Sequence, residues 1–115
     1  MLSNGSLLTP DNEIIHYEGN WTTQHLISTF GRICVGQISS TATLTFNGTR
    51  FAIFSLYPTD VKFDITVDGN KAFPGYDINS HPFRLVFLSQ QLQMGEHKVQ
   101  IKCLNVANIE AIAIW

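Results

Sequence analysis

Four histidines are the side chains of this 115-residue chain best suited to bind a metal or to transfer a proton: His16, His25, His81 and His97. No two of them are two or four positions apart, so none forms the His-x-His or His-x-x-x-His pattern that places two imidazoles together around a metal. His97 falls on the apolar side of its predicted strand, and we expect it to pack in the core or at a sheet edge. The histidines therefore indicate neither a metal site nor a catalytic base.

The other groups used in catalysis are not arranged for chemistry either. The chain contains no Gly-x-Ser-x-Gly nucleophile motif and no glycine-rich phosphate loop. Asp64 and Asp68 fall on a strand surface and in a turn, whereas glycoside hydrolysis needs two carboxyl groups in a cleft. We therefore expect no enzymatic activity and no cofactor. The alternative for the acids is a structural calcium ion, bound by Asp11, Glu13 and Glu110 where the first and last strands meet.

Several aromatic and polar side chains are suited to binding a saccharide. An aromatic ring can stack on the C–H face of a sugar while polar groups bind its hydroxyls. Trp21 lies in a polar stretch beside Asn20 and Thr22, where it either fills one end of the core, the favoured interpretation, or contacts a ligand. Arg32 is a charge inside an apolar run, so it either protects an edge strand or binds hydroxyl groups.

The longest irregular stretch, residues 73–84, is the second region suited to a ligand because it is rich in turn residues and polar at its centre. It contains Tyr76, Asp77 and His81 and ends at Arg84, and Tyr57 ends an earlier apolar run. The predicted carbohydrate-binding residues are thus Trp21, Arg32, Tyr57, Tyr76, Asp77, His81 and Arg84.

Composition and charge narrow the class of protein. Hydrophobic residues make up 44% of the chain and charged residues only 14%, which favours a Thr- and Ser-rich β surface over a helical one. The net charge of −2 and the scattered basic residues argue against nucleic acid, and no apolar stretch is long enough to enter a membrane as a span. Cys34 and Cys103 lie in apolar runs, so we expect two buried free thiols, with a disulfide as the alternative.

Hydrophobic residues recur with the two-residue period of β-strands, and turn residues separate the runs. Asn47-Gly48 and Asp68-Gly69-Asn70 are typical of tight hairpin turns. The pattern predicts a single all-β domain over residues 1–115, a two-sheet antiparallel β-sandwich of about eight or nine strands. The predicted strands cover residues 13–18, 28–37, 41–46, 50–57, 61–67, 83–89, 95–103 and 109–115.

The order of the motifs resembles that of galactose-binding-like β-sandwich modules. Tyr17-Glu18-Gly19-Asn20-Trp21 is similar to the Y-x-G-x-W opening of that family. Residues 45–53 and 63–69 resemble its two hairpins, tFxGtxfai and f-x-v-x-vDG, while residues 92–101 resemble its L-x-x-GeHxvxI strand and residues 109–112 its closing strand. The likeness runs in the same order over nearly the whole chain.

This resemblance implies a jelly roll that binds glycans and is joined to other domains, as in glycoside hydrolases, carbohydrate esterases and bacteriophage tail or fibre adhesins. We expect a carbohydrate-binding module that tethers a larger protein to a polysaccharide or cell-surface glycan. Its first ten residues show no signal-peptide pattern, so it either acts where it is made or, the favoured interpretation, is a piece of a longer protein. As part of that protein it would act outside the cell or on a virion or cell surface. The alternative is a structural or oligomerisation module of an esterase or phage tail protein with no ligand of its own.

Overall fold

The alternation of threonine with apolar residues at positions 41–46 forms the strand that it predicts. In the computed structural model, Ala42, Leu44 and Phe46 are buried, while Thr43 and Thr45 between them are more exposed. Side chains of a strand alternate between two faces, so one face of this strand belongs to the core. The structure describes residues 6–25, 32–56, 61–73 and 85–115, without the side chains of His25 and Arg32.

Within these ranges the chain forms twelve strands and no helix, and all pairs of neighbouring strands are antiparallel. No helix that could cross a membrane occurs among the described residues. The strands are β1 (Ser6–Leu8), β2 (His16–Glu18), β3 (Trp21–His25), β4 (Arg32–Gly36), β5 (Thr41–Gly48), β6 (Phe51–Phe54), β7 (Phe63–Val67), β8 (Asn70–Lys71), β9 (Leu85–Leu88), β10 (Gly95–Cys103), β11 (Ala107–Ile109) and β12 (Ala111–Ile114).

The predicted all-β class is therefore confirmed, whereas the predicted number of about eight or nine strands is wrong. Strands β1 and β8 contain three and two residues, too few to show an alternation in the sequence. Strand β3 has the polar sequence Trp-Thr-Thr-Gln-His and was predicted as a polar stretch between strands. The last predicted run is divided at Glu110 into β11 and β12, which belong to different sheets.

The strands form a four-stranded sheet (β1-β12-β6-β9), a five-stranded sheet (β2-β5-β10-β7-β8) and a three-stranded sheet (β11-β4-β3). The two larger sheets share one buried cluster, which is the arrangement of a β-sandwich. Phe51 on β6 stacks on Phe87 on β9, with 5.5 Å between the ring centroids. Most core residues come from these two sheets, with Ile15 from the turn before β2 and Ile109 from β11 of the third sheet. The core contains Leu8, Ile15, Ala42, Leu44, Phe46, Phe51, Ile53, Ile65, Phe87, Val99, Ile101, Ile109 and Ile112.

Both cysteines are buried and free, as expected from their apolar runs. Cys34 lies on β4 and Cys103 ends β10. Burial raises the pKa of the Cys103 thiol to about 11, because the charged thiolate is poorly solvated there. The Cys103 thiol is therefore a poor nucleophile, and both buried thiols pack as small apolar side chains.

The predicted hairpin at Asn47-Gly48 is wrong, because β5 and β6 lie in different sheets and do not pair. Gly48 does not have a positive φ. A Cβ atom at Gly48 would lie 1.9 Å from the carbonyl oxygen of Trp115, and that oxygen accepts a hydrogen bond of 2.7 Å from the Thr49 N–H. Glycine is needed here because the backbone of Trp115 passes directly over the connection from β5 to β6, which lie in different sheets.

The predicted hairpin at Asp68-Gly69 is confirmed. Val67 on β7 pairs with Asn70 on β8, so the loop contains two residues. Asp68 and Gly69 have φ angles of 53° and 84°, as the first and second positions of a type I′ turn require. This turn brings the residues that follow it to the edge of the five-stranded sheet.

Candidate functional site

The edge formed by the β7–β8 hairpin lies beside the edge of the four-stranded sheet formed by β9, and two clefts open along it. The first, which we call the turn cleft, has a volume of about 270 Å³ and is lined by Asp68, Asn70, Ser89, Gln90 and Leu92. The second, the edge cleft, has a volume of about 460 Å³ and is lined by Phe63, Asp64, Ile65, Phe87 and Leu104. Residues 71–73 line both clefts.

Phe73 is the aromatic residue at the junction of the two clefts. Its neighbour Ala72 donates a backbone hydrogen bond of 2.8 Å to Ile65 and packs against the core, while Phe73 remains 62% exposed. The ammonium group of Lys71 lies 5.9 Å from the centroid of the Phe73 ring, within the range of a cation–π contact. A phenylalanine this exposed beside a cleft is a candidate ligand contact.

Two side-chain amides lie in the turn cleft with Phe73. Asn70 on β8 and Gln90 after β9 are both exposed. In the described part of the chain, neither side-chain amide forms a hydrogen bond to another protein group. An amide both donates and accepts hydrogen bonds, so both groups suit a ligand that carries hydroxyl or acetamido groups.

Asp68 is held firmly at the end of the turn cleft. Its Oδ1 accepts a hydrogen bond of 2.8 Å from the Lys98 N–H, and its Oδ2 lies 2.7 Å from Nδ1 of His97. These two contacts, that with His97 first, lower the pKa of the Asp68 carboxyl below its ordinary value. Asp68 is thus an anion whose position is set by β10.

His97 packs as its place on the apolar side of β10 predicts. Its ring centroid lies 6.0 Å from that of Phe46, and its side chain is only 13% exposed. Nε2 of His97 lies 2.7 Å from the carbonyl oxygen of Gln93. The Asp68 carboxylate, and then the Gln93 carbonyl, raise the pKa of His97, since both accept hydrogen bonds from the imidazolium.

Trp21 is placed as a packing residue rather than in either cleft. It lies in β3, half-buried, and its ring centroid is 4.8 Å from that of Tyr17. The indole N–H donates to the carbonyl oxygens of Glu18 at 3.0 Å and Thr41 at 3.1 Å. A Cβ atom on the opposing Gly36 would lie 2.8 Å from the indole ring, so the ring covers this glycine.

The other predicted ligand residues are not placed by the structure. Arg32 begins β4, but its side chain lies outside the description. Five more lie outside the described residues, and their contact with a saccharide stays a prediction: Tyr57, Tyr76, Asp77, His81 and Arg84. The predicted loop nevertheless contributes one described residue to the clefts, namely Phe73 at its start.

Asn70, Lys71 and Gln90 were not predicted as site residues. The signal that could have found Asn70 and Lys71 is the Asp-Gly turn, which places the next two residues on a short edge strand. Gln90 follows β9 and carries no comparable local signal, because it reaches the cleft only through the packing of the two sheets. Phe73 was recognised only as the first residue of an irregular stretch.

The acids proposed for a calcium ion do not come together. Asp11 and Glu13 are exposed, whereas Glu110 is completely buried between β11 and β12. Among the residues that the structure describes, no group of three or more His, Cys, Asp or Glu side chains could hold a metal ion. The described carboxylates therefore give no support to a calcium site.

Comparison with known proteins leaves the geometry as the basis for any assignment. A scan against protein-family models and a search of curated proteins both found no match to this chain. The fold and the site define the chain as an all-β domain with antiparallel sheets and an aromatic-lined double cleft along one edge.

Proposed function

We propose that this chain is a non-catalytic carbohydrate-binding module that tethers a larger protein to a polysaccharide or cell-surface glycan. The observation that carries the proposal is the exposed ring of Phe73 between the turn cleft and the edge cleft. A sugar ring stacked on Phe73 would present its hydroxyls to the amides of Asn70 and Gln90.

The charges beside Phe73 favour a neutral saccharide. Lys71 contributes one positive charge to both clefts, while Asp68 lies in the turn cleft and Asp64 in the edge cleft. Because each cleft contains both signs, neither a strongly anionic nor a strongly cationic ligand gains a clear electrostatic advantage. Recognition would instead depend on stacking and on hydrogen bonds to uncharged groups.

The two clefts favour a chain of sugars over a single sugar. They adjoin at residues 71–73, so a ligand stacked on Phe73 can extend into both. Each additional sugar that enters a cleft adds contacts without a second loss of translational freedom. We therefore expect the affinity to rise with chain length until both clefts are filled.

Titration of the ¹⁵N-labelled protein with cello-, xylo-, manno- and chito-oligosaccharides of increasing length tests the proposal. The side-chain amide signals of Asn70 and Gln90 should shift with at least one series. Substitution Phe73→Ala should weaken that binding by about tenfold, because stacking on an aromatic ring is worth roughly 1 kcal/mol or more.

The matched control is Leu7→Ala, which removes an exposed apolar side chain (49%) on β1, at the other edge of the four-stranded sheet from β9. This variant should bind as the wild type does. Equal affinity of Phe73→Ala and wild type, or signal shifts confined to residues away from both clefts, would contradict the proposed site.

One observation favours the alternative of a structural or oligomerisation module. Ile38, Leu104 and Val106 are all exposed, and they lie in two neighbouring loops. The Ser39 N–H donates to the carbonyl of Cys103 at 2.9 Å, which holds these loops side by side. An exposed apolar patch of this kind is suited to contact with another protein surface.

A further inference from the structure

One side chain, the imidazole of His97, joins two walls of the turn cleft. The first wall is the β7–β8 turn with Asp68, and the second is the connection between β9 and β10 (residues 89–94), in which Leu92 lines the cleft. Nδ1 of His97 lies 2.7 Å from Oδ2 of Asp68, and Nε2 lies 2.7 Å from the carbonyl oxygen of Gln93. Each ring nitrogen therefore contacts a different wall.

Both contacts can be hydrogen bonds only when the imidazole carries two protons. A carboxylate and a carbonyl oxygen are acceptors, so each facing nitrogen must donate an N–H. The neutral ring has one N–H, and the charged Asp68 competes for it more strongly than the Gln93 carbonyl does. Loss of the second proton would leave a nitrogen lone pair facing the Gln93 oxygen, and that contact would open.

Among the described residues, one charged group is in direct contact with His97, namely Asp68. Across the sheet, β5 presents the ring of Phe46. On β10 itself, the charged neighbours Glu96 and Lys98 are exposed and alternate with His97 along the strand. The 89–94 connection has no charged residue, since its sequence is Ser-Gln-Gln-Leu-Gln-Met.

We propose that His97 is a positioning residue of the turn cleft, which clamps the β7–β8 turn to the 89–94 connection when protonated and releases the connection when neutral. The clamp itself depends only on the geometry of His97. Its consequence for a ligand rests on the proposed function, because a released connection would present Gln90 less precisely and weaken saccharide binding.

The pH range of the clamp follows from the directions of the two pKa shifts. The pKa of His97 is raised above its ordinary value of 6.5, so the clamp is complete below that pH and is lost as the pH rises through the folded-state pKa. The pKa of Asp68 is lowered below its ordinary value of 3.8, so its charge is lost only in stronger acid. The clamp therefore operates in weakly acidic solution and opens towards alkaline pH.

The amide of Leu92 gives a readout that needs no ligand. Its N–H donates to the carbonyl of Thr49 at 2.7 Å, which ties the connection to the segment between β5 and β6. Its hydrogen-exchange protection factor, corrected for the intrinsic effect of pH, should fall about fivefold between about pH 5 and a pH about two units above the His97 pKa measured from its ring proton signals. In His97→Gln the protection should be low at both pH values, because the two N–H groups of the amide are on a single nitrogen and cannot replace two ring nitrogens that face different acceptors.

Asp68→Asn tests the role of the charge. Asparagine keeps an acceptor for the Lys98 N–H and tolerates the left-handed φ of 53°, so the turn should remain folded. The pKa of His97, measured from its ring proton signals, should fall towards 6.5 in this variant. The control is His16→Gln on the exposed edge strand β2, which should keep the pH step of Leu92.

A pH step of Leu92 that persists in His97→Gln, or a His97 pKa unchanged by Asp68→Asn, would overturn the clamp. The binding consequence is measured with cellohexaose and chitohexaose at the same two pH values, where the wild type should bind about three- to tenfold more weakly at the higher pH. If neither hexasaccharide binds at either pH, the proposed function loses support, while the Leu92 measurement still decides the clamp.

Discussion

Gly36 illustrates how single residues set the packing around Trp21. A Cβ atom at this position would lie 2.8 Å from both the Sγ of Cys103 and the indole ring of Trp21. The missing side chain is therefore what lets the indole pack against β4 while its N–H donates to two carbonyl groups. The sequence allows Trp21 either to fill one end of the core or to contact a ligand. Gly36 explains why the half-buried indole packs against β4.

Substitution Gly36→Ala should destabilise the protein by about 1–3 kcal/mol, because the added methyl group overlaps the indole ring and a buried thiol. Denaturation in urea, followed by tryptophan fluorescence, would measure the loss. The control is Gln37→Ala at the next, exposed position, which should change the stability by about 0.5 kcal/mol or less. A Gly36→Ala protein as stable as this control would contradict the packing described for Trp21.

The elements were predictable to different degrees. Strand β5 alternates threonine with apolar residues, β10 alternates Lys and Gln with apolar residues, and the Asp68-Gly69 turn has a residue type suited to its positive φ. Strand β3 was not recognised, because its polar residues show no alternation and it is a strand only through its pairing with β4. Local sequence predicts a strand well where one of its faces is buried, because the side chains then alternate. It predicts a strand poorly where the strand forms only because it pairs with a partner strand.

The connection from β5 to β6 allows a test of why Gly48 is needed. In Gly48→Ala, the new Cβ would overlap the Trp115 carbonyl and break its hydrogen bond to Thr49, so we expect a loss of about 2–3 kcal/mol. The same substitution in a chain that ends at Ile114 should cost clearly less, since the overlapping group is gone. Equal losses in both backgrounds, measured by urea denaturation, would show that Gly48 is needed for another reason.

At the scale of the whole molecule, the two proposed surfaces meet at Leu104, which lines the edge cleft and also belongs to the exposed apolar loops. The double cleft lies along the β8 and β9 edge, whereas the exposed side chains of Ile38 and Val106 belong to loops beside β4 and β11. One surface offers an exposed ring with amides and the other offers only apolar groups. Ile38 and Val106 line neither cleft, so substitutions at these two residues can test contact with a protein separately from saccharide binding.

The alternative function predicts self-association through the apolar loops. If it is correct, sedimentation velocity should detect a concentration-dependent dimer that Ile38→Asp abolishes, because burying a charge in an apolar contact is unfavourable. Leu7→Asp, on a different surface, is the matched control and should still associate. A wild-type chain that stays monomeric at high concentration would leave the carbohydrate-binding proposal as the better account.

Local sequence predicts the all-β class, the principal strands, the burial of the two thiols and the packing side of His97, because each depends on alternation or on apolar neighbours. That the two thiols are free, rather than joined in a disulfide, is known only from the structure. Tertiary structure alone decided that Gly48 lies under Trp115, that β5 and β6 belong to different sheets, and that Gln90 shares a cleft with Phe73. These contacts join residues far apart in the chain, so their positions follow from how the sheets stack rather than from any local pattern. The pairing of His97 with Asp68 has the same origin, since it arises where β10 and the β7–β8 turn meet.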